Sequence, residues 1–160
     1  MSRVKQVALA LVAVLLGIQL IRPARTNPPV DPPRELTAHS QLPPQVANAL
    51  NRSCNDCHSY RTTWPWYSQI APFSWVITDD VNQGRRHVNF SDWAQYDLKR
   101  ADHKLDQICE EVRGNWMPLT SYKLVHPDSR LTEHERAEIC VWVGAERERL
   151  AKADGTKQTP

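Results

Sequence analysis

Leu98-Lys99-Arg100-Ala101-Asp102-His103-Lys104-Leu105-Asp106-Gln107-Ile108-Cys109-Glu110-Glu111-Val112-Arg113-Gly114 is the stretch on which the fold class turns. Its apolar residues Leu98, Ala101, Leu105, Ile108, Cys109 and Val112 recur mainly at spacings of three and four, with charges between them. At 3.6 residues per turn this makes one apolar stripe on an otherwise solvated helix, whereas a half-buried strand would alternate in twos. Gly114 marks the end of the helix. His103 lies about 200° around from Ala101 at 100° per residue, so it is expected in solvent.

Towards the C-terminus, Thr132-Glu133-His134-Glu135 fits a capping box, in which Thr132 caps and Glu135 reaches back. The helix that follows carries Ile139, Cys140, Trp142 and Val143 to about Leu150, with His134 on its surface. Residues 151–160 read as a flexible tail. Upstream, Val46, Leu50 and Cys54 share a helical face over Gln45–Cys57, and another helix is expected over Ala71–Asn82, stopping at Gly84. No useful alternating pattern and no internal repeat appears. The expected class is mainly α, with the folded domain over residues 45–150.

Before it the chain is of a different kind. Arg3 and Lys5 precede an apolar run from Val7 to Ile21, so residues 1–21 read as a signal peptide or an uncleaved signal anchor. As a helix the run spans roughly 22 Å, short of a ~30 Å hydrocarbon core. No convincing small-residue cleavage site follows it. The positive-inside rule then puts the body outside the cytoplasm, in the periplasm, tethered to the inner membrane if the segment is retained. Residues 22–44 hold seven of the 12 prolines and His39. They read as a linker reaching about 70 Å if fully polyproline II, either a stiff tether or a disordered leader.

The charge divides the same way. Four of the 20 basic residues precede Asn27 and none of the 18 acidic ones does, leaving 16 against 18 in the body. A net of −2 there argues against a nucleic-acid surface, which needs a clustered basic stripe. Six Trp against two Phe in 160 residues hints at a large flat ligand.

Cys54-Asn55-Asp56-Cys57-His58 carries the chemistry. It is C-x-x-C-H, the attachment pattern of c-type haem. Two thiols three positions apart project from one helical turn towards the two haem vinyl groups, and the adjacent histidine turns to the iron. A thioredoxin-like dithiol would expect a βαβ context that is missing. A zinc site would need a second close cysteine pair, and Cys109 and Cys140 are 31 residues apart. Those two lie on apolar helical faces in a chain bound for an oxidising compartment, so a disulfide between them is expected. Trp64, Trp66 and Tyr67, on a Pro-bounded run, suit the faces and edge of a haem. Arg85 and Arg86, after Gly84, are candidate partners for the anionic propionates or else a solvated charge pair, and His87 in an expected loop is a further candidate. Met117, between Trp116 and Pro118, is the only methionine besides Met1 and the candidate distal ligand, with His126 as its rival.

The run Trp64-Pro65-Trp66-Tyr67-Ser68, with Ile70-Ala71-Pro72, Ser74-Trp75, Asp80-Val81, Gly84-Arg85, Asn89-Phe90-Ser91 and Trp93, resembles the bacterial haem-binding domain family. Gly114-x-x-Met117-Pro118, Tyr122 and His126-Pro127 continue the likeness, which covers about residues 43–145. The resemblance implies a compact helical, cytochrome c-like fold with one covalent haem c in the periplasm. It implies no substrate, because such a family is defined by what it binds. Two functions from different classes follow. One is a one-electron carrier serving redox partner proteins, with His58 and Met117 closing both axial positions. The other is a peroxidase-like enzyme, or a small-gas or redox sensor, with an open distal site. No hydrolytic triad or carboxylate pair is present.

Overall fold

The computed structural model describes residues 2–157. In chain order its helices are α1 (Arg3–Ile18), α2 (Leu36–His39), α3 (Pro44–Ser53), α4 (Asn55–His58), α5 (Phe73–His87), α6 (Leu98–Arg113), α7 (Thr120–Val125) and α8 (Glu133–Lys157). Short 3-10 turns at Pro32–Arg34, Trp66–Gln69, Phe90–Gln95 and Pro127–Ser129 join them. Among the described residues there is no strand, as the hydrophobic period predicts.

The Leu98–Val112 stripe becomes α6, closed by Gly114, whose N–H donates to Glu110 O at 2.9 Å. Its buried face packs against Ile139, Trp142 and Val143 of α8, and Val46, Ala49 and Leu50 of α3 join the same core. Burying side chains of this size contributes about 1.5–3 kcal/mol each, so this seam outweighs the ion pairs at its rim. Cys109 and Cys140 form a disulfide across it. Arg147 of α8 closes the outer edge on Asp102 at 2.8 Å and on Asp106.

The capping box is present as read. Glu135 N–H donates to Thr132 Oγ1 at 3.2 Å, and Thr132 N–H to Glu135 Oε2 at 2.8 Å. Thr132→Ala is expected to lower stability by about 1 kcal/mol, the usual worth of such a cap. A urea titration followed by circular dichroism reads this as a lower midpoint at unchanged slope.

Four expectations change. The helix expected over Gln45–Cys57 breaks at Cys54 (φ −125°, ψ −36°), so the C-x-x-C-H motif forms its own single turn. α5 runs through Gly84 to His87 and does not stop there. α8 continues past Leu150 to Lys157; residues 158–160 of the expected tail lie outside the described residues.

The fourth change concerns residues 22–44, which are packed on the domain. Leu36 is buried in the core. Gln41 N–H donates to the buried carboxylate of Glu146 at 2.8 Å, and Trp142 Nε1 donates to Ser40 Oγ at 3.2 Å. Asn27 Nδ2 donates to Thr62 O at 2.8 Å, and Arg25 to Ser68 O. Prolines favour this because an already restricted chain loses less entropy on docking. α1 has no buried residue, and no described helix is long and apolar enough to cross a membrane.

Candidate haem site on the Cys54–His58 turn

The C-x-x-C-H turn is closed on itself. The N–H groups of Cys57 and His58 donate to Cys54 O at 3.1 and 2.9 Å, which projects both thiols from one turn. Both cysteines are free. Burial pushes the thiols of Cys54 and Cys57 up to about 12, with the Asp80 carboxylate adding to the rise at Cys57. Both are therefore protonated, neutral thiols at neutral pH.

His58 is oriented by a backbone atom. Its Nδ1 donates to Val88 O at 3.0 Å, which leaves Nε2 free. Burial lowers its pKa, so the imidazole is neutral at pH 7. A neutral imidazole tied through Nδ1 to a carbonyl is the form in which histidine ligates a metal.

Val88 O is within reach because α4 and α5 cross almost in contact. A Cβ on Gly84 would stand 2.5 Å from Cys57 O, closer than any real methyl sits. Glycine at this point lets the backbones approach, and the α5 C-terminus then supplies the carbonyl that holds His58.

A polar cluster flanks the same turn. Tyr122 of α7 donates to Asp56 Oδ2 at 2.7 Å, and Thr63 N–H donates to Asp56 Oδ1 at 2.8 Å. Tyr122 stacks on His126 with ring centroids 4.1 Å apart, and His126 Nε2 lies 3.2 Å from Tyr67 Oη. Burial and the Asp56 contact raise the pKa of Tyr122, and burial raises that of Tyr67. Two polar atoms here, Trp64 Nε1 and His126 Nδ1, are buried without a hydrogen-bond partner. Such an atom costs about 1–3 kcal/mol unless something pairs with it. Free thiols, an imidazole with Nε2 unengaged and unpaired polar atoms beside them fit a haem with its vinyl groups, iron and propionates.

A family model described as a haem-binding domain matches residues 13–145. The chain belongs to the haem-binding domain family. No curated protein and no solved structure matches it. The match begins inside α1 and runs through the whole Pro-rich segment, in keeping with a haem-binding domain that includes its docked leader.

The other candidates fall in different places. Tyr67 joins the polar cluster and Trp64 lies half-buried beside it, while Trp66 is exposed and packs edge-on against Tyr67 at 5.8 Å. Met117 lies half-buried on the loop between α6 and α7, and its N–H donates to Glu111 O at 3.2 Å. That loop is held at Asn115 (φ 56°), whose Oδ1 accepts from Lys123 and Arg136 at 3.2 and 3.0 Å. Arg85, expected on a propionate, is engaged elsewhere. It donates to Ser59 O and Thr26 O at 2.8 Å and to Asn27 Oδ1 and Thr62 Oγ1 at 2.9 Å, clamping the leader to the loop after His58. His87 is the last residue of α5, exposed, and not in a loop. His103 and His134 are exposed, as expected.

Sequence reasoning missed Val88 and Asp56 as positioning residues. A carbonyl acceptor carries no residue-type signal, so Val88 was invisible. Asp56 had one: an acid inside C-x-x-C-H invites a search for its donors.

Proposed function

We propose that this haem-binding protein carries one covalent haem c on Cys54 and Cys57, with His58 and Met117 as the residues that would hold its iron, and transfers single electrons in the periplasm. The observation that carries the reading is the His58 Nδ1 to Val88 O bond beside two free thiols on one turn. Haem supplies an iron that cycles between ferric and ferrous states. The protein's part is to hold and shield it. Cys54 and Cys57 would hold the haem as thioethers, each S–H adding across one vinyl group with its hydrogen passing to carbon, which needs no external oxidant. Thioether ligation by methionine favours ferrous iron and raises the potential, which suits a carrier. The N-terminal apolar segment anchors the protein to the inner membrane, and its partners are redox proteins.

Intact mass tests the attachment. Protein matured in a host competent for c-type haem should exceed the polypeptide by one haem that acid and organic solvent do not strip. Carbon monoxide tests the carrier reading. Ferrous wild type should bind it slowly or not at all, whereas Met117→Ala should bind it rapidly and lose the methionine-to-iron absorption in the near infrared. Rapid binding by wild type, or clear peroxidase turnover, would sink the carrier and favour the enzyme or sensor. An unchanged spectrum in Met117→Ala would pass the distal position to His126.

A further inference from the structure

Where α1 ends, its last residues are bonded to the loop leading into α5. Gln19 makes a reciprocal pair with Ala71: Ala71 N–H donates to Oε1 at 2.9 Å, and Nε2 donates to Ala71 O at 3.2 Å. Trp75 Nε1 donates to Ile21 O at 2.8 Å. The groove between Ile21 and Trp75 is lined also by Arg22 and Asp79, and large apolar side chains are exposed on the segment that carries Trp75. Trp66 is 75% exposed, Phe73 60%, Val76 57% and Ile70 42%. From Trp64 to Thr78 no residue is charged, and none is charged from Gln6 to Ile21. Two uncharged segments distant in sequence thus meet through hydrogen bonds.

We propose that these exposed apolar side chains form one face, a bilayer seat: Trp66, Ile70, Phe73 and Val76 rest in the interfacial layer of the membrane that α1 enters. The inference rests on the anchored reading above and goes beyond it, because an anchor alone leaves the domain free to swing. The uncharged part of α1, residues 6–18, has 13 residues, about 20 Å of helix against a hydrocarbon core of ~30 Å. The shortfall of about 10 Å reaches the upper end of the 5–10 Å to which interfacial apolar groups bury. Trp66 and Trp75 are of the type that concentrates at that depth. Arg22, exposed just beyond the junction, carries a charge suited to lipid phosphate. Isolated apolar side chains on a surface need no account, but four large exposed ones on one uncharged segment, bonded to the end of an exposed apolar helix, do. The seat brings the Trp64–Tyr67 loop, and with it the haem site, to the bilayer surface.

In the proposed holoprotein all four native cysteines are engaged, two by haem and two in the disulfide, so one added cysteine is a unique label site. Full-length holoprotein carrying Phe73→Cys, Val76→Cys or, as control, Val141→Cys on α8, where Val141 is 74% exposed, is spin-labelled in phospholipid nanodiscs. Collisions with oxygen and with a water-soluble nickel chelate report depth. Labels at 73 and 76 should favour oxygen and lose nickel access, and the label at 141 should do the reverse. Nickel access at 73 and 76 equal to that at 141 overturns the seat. Spin–spin broadening between labels would assign the face to a second copy and overturn it as well. A companion variant, Phe73→Asp with Val76→Asp, should keep its haem content and visible spectrum and stay membrane-bound through α1 while the domain tumbles faster. A changed spectrum would assign the face to the haem. Wild type that fails to sediment with membranes removes anchor and seat together, while its haem content, measured separately, still reports on the haem reading.

Discussion

Gly84→Val is expected to cost the protein its haem before it costs the protein its helices. Even a single Cβ would stand 2.5 Å from Cys57 O and 3.1 Å from Cys57 Cβ, and a valine adds two methyl groups in the same crowded space. The obstacle is backbone, so no flexible side chain can move aside and α4 must shift away from α5. Insertions into packed interiors cost about 1–3 kcal/mol, and Gly84→Ala should lie in that range with Gly84→Val above it. The shift also lengthens the His58 Nδ1 to Val88 O bond, now 3.0 Å, and loosens the imidazole's orientation. Haem incorporation should therefore fall several-fold in Gly84→Ala and more in Gly84→Val, read as the ratio of haem absorbance to protein. Gly144→Ala on α8 is the control. Nothing lies within 4 Å of its added Cβ, and replacing an unneeded helical glycine stabilises by about 0.4–1 kcal/mol. Equal effects of the two alanine substitutions would refute the crossing as the reason for Gly84.

Removing the Cys109–Cys140 bridge is expected to have the largest effect on stability alone. It joins α6 to α8 across the core seam, closing a loop of 31 residues, and chain entropy assigns such a loop about 3–4 kcal/mol. The double variant Cys109→Ala with Cys140→Ala should lose about that much in a guanidinium titration while its haem spectrum stays unchanged, because the bridge fastens α6 to α8 and is bonded to no residue of the C-x-x-C-H motif. Thiol counting on denatured, unreduced wild type gives an independent check. Two reactive thiols beyond the haem-linked pair would show the bridge absent in solution.

These variants separate what is local in the chain from what is not. The Leu98–Val112 stripe, the Thr132–Glu135 box and the C-x-x-C-H spacing each act within one or two helical turns, where sequence distance and spatial distance are nearly the same. They were legible for that reason, and the mainly helical class followed from them. The Cys109–Cys140 pairing was legible for a related reason, since both residues sat on apolar helical faces that had to be buried.

Only the tertiary structure decided the rest. The Pro-rich leader reads as a free tether because its partners are Thr62, Ser68, Arg85 and Glu146, bonded from 35 to 105 residues away along the chain. Most of those bonds use backbone groups, which every residue carries and no motif records. The same holds for Val88 O, which orients His58, and for Gly84, whose role as a crossing point and not a helix stop depends on a helix folded against it. Arg85 has the right charge for a propionate, yet the leader engages it, because a guanidinium goes to whichever acceptors the packed chain brings within reach. Local spacing determined which residues could do chemistry; the crossing of α4 over α5 and the docking of the leader decided how they are held, since those contacts exist only once distant segments are packed together.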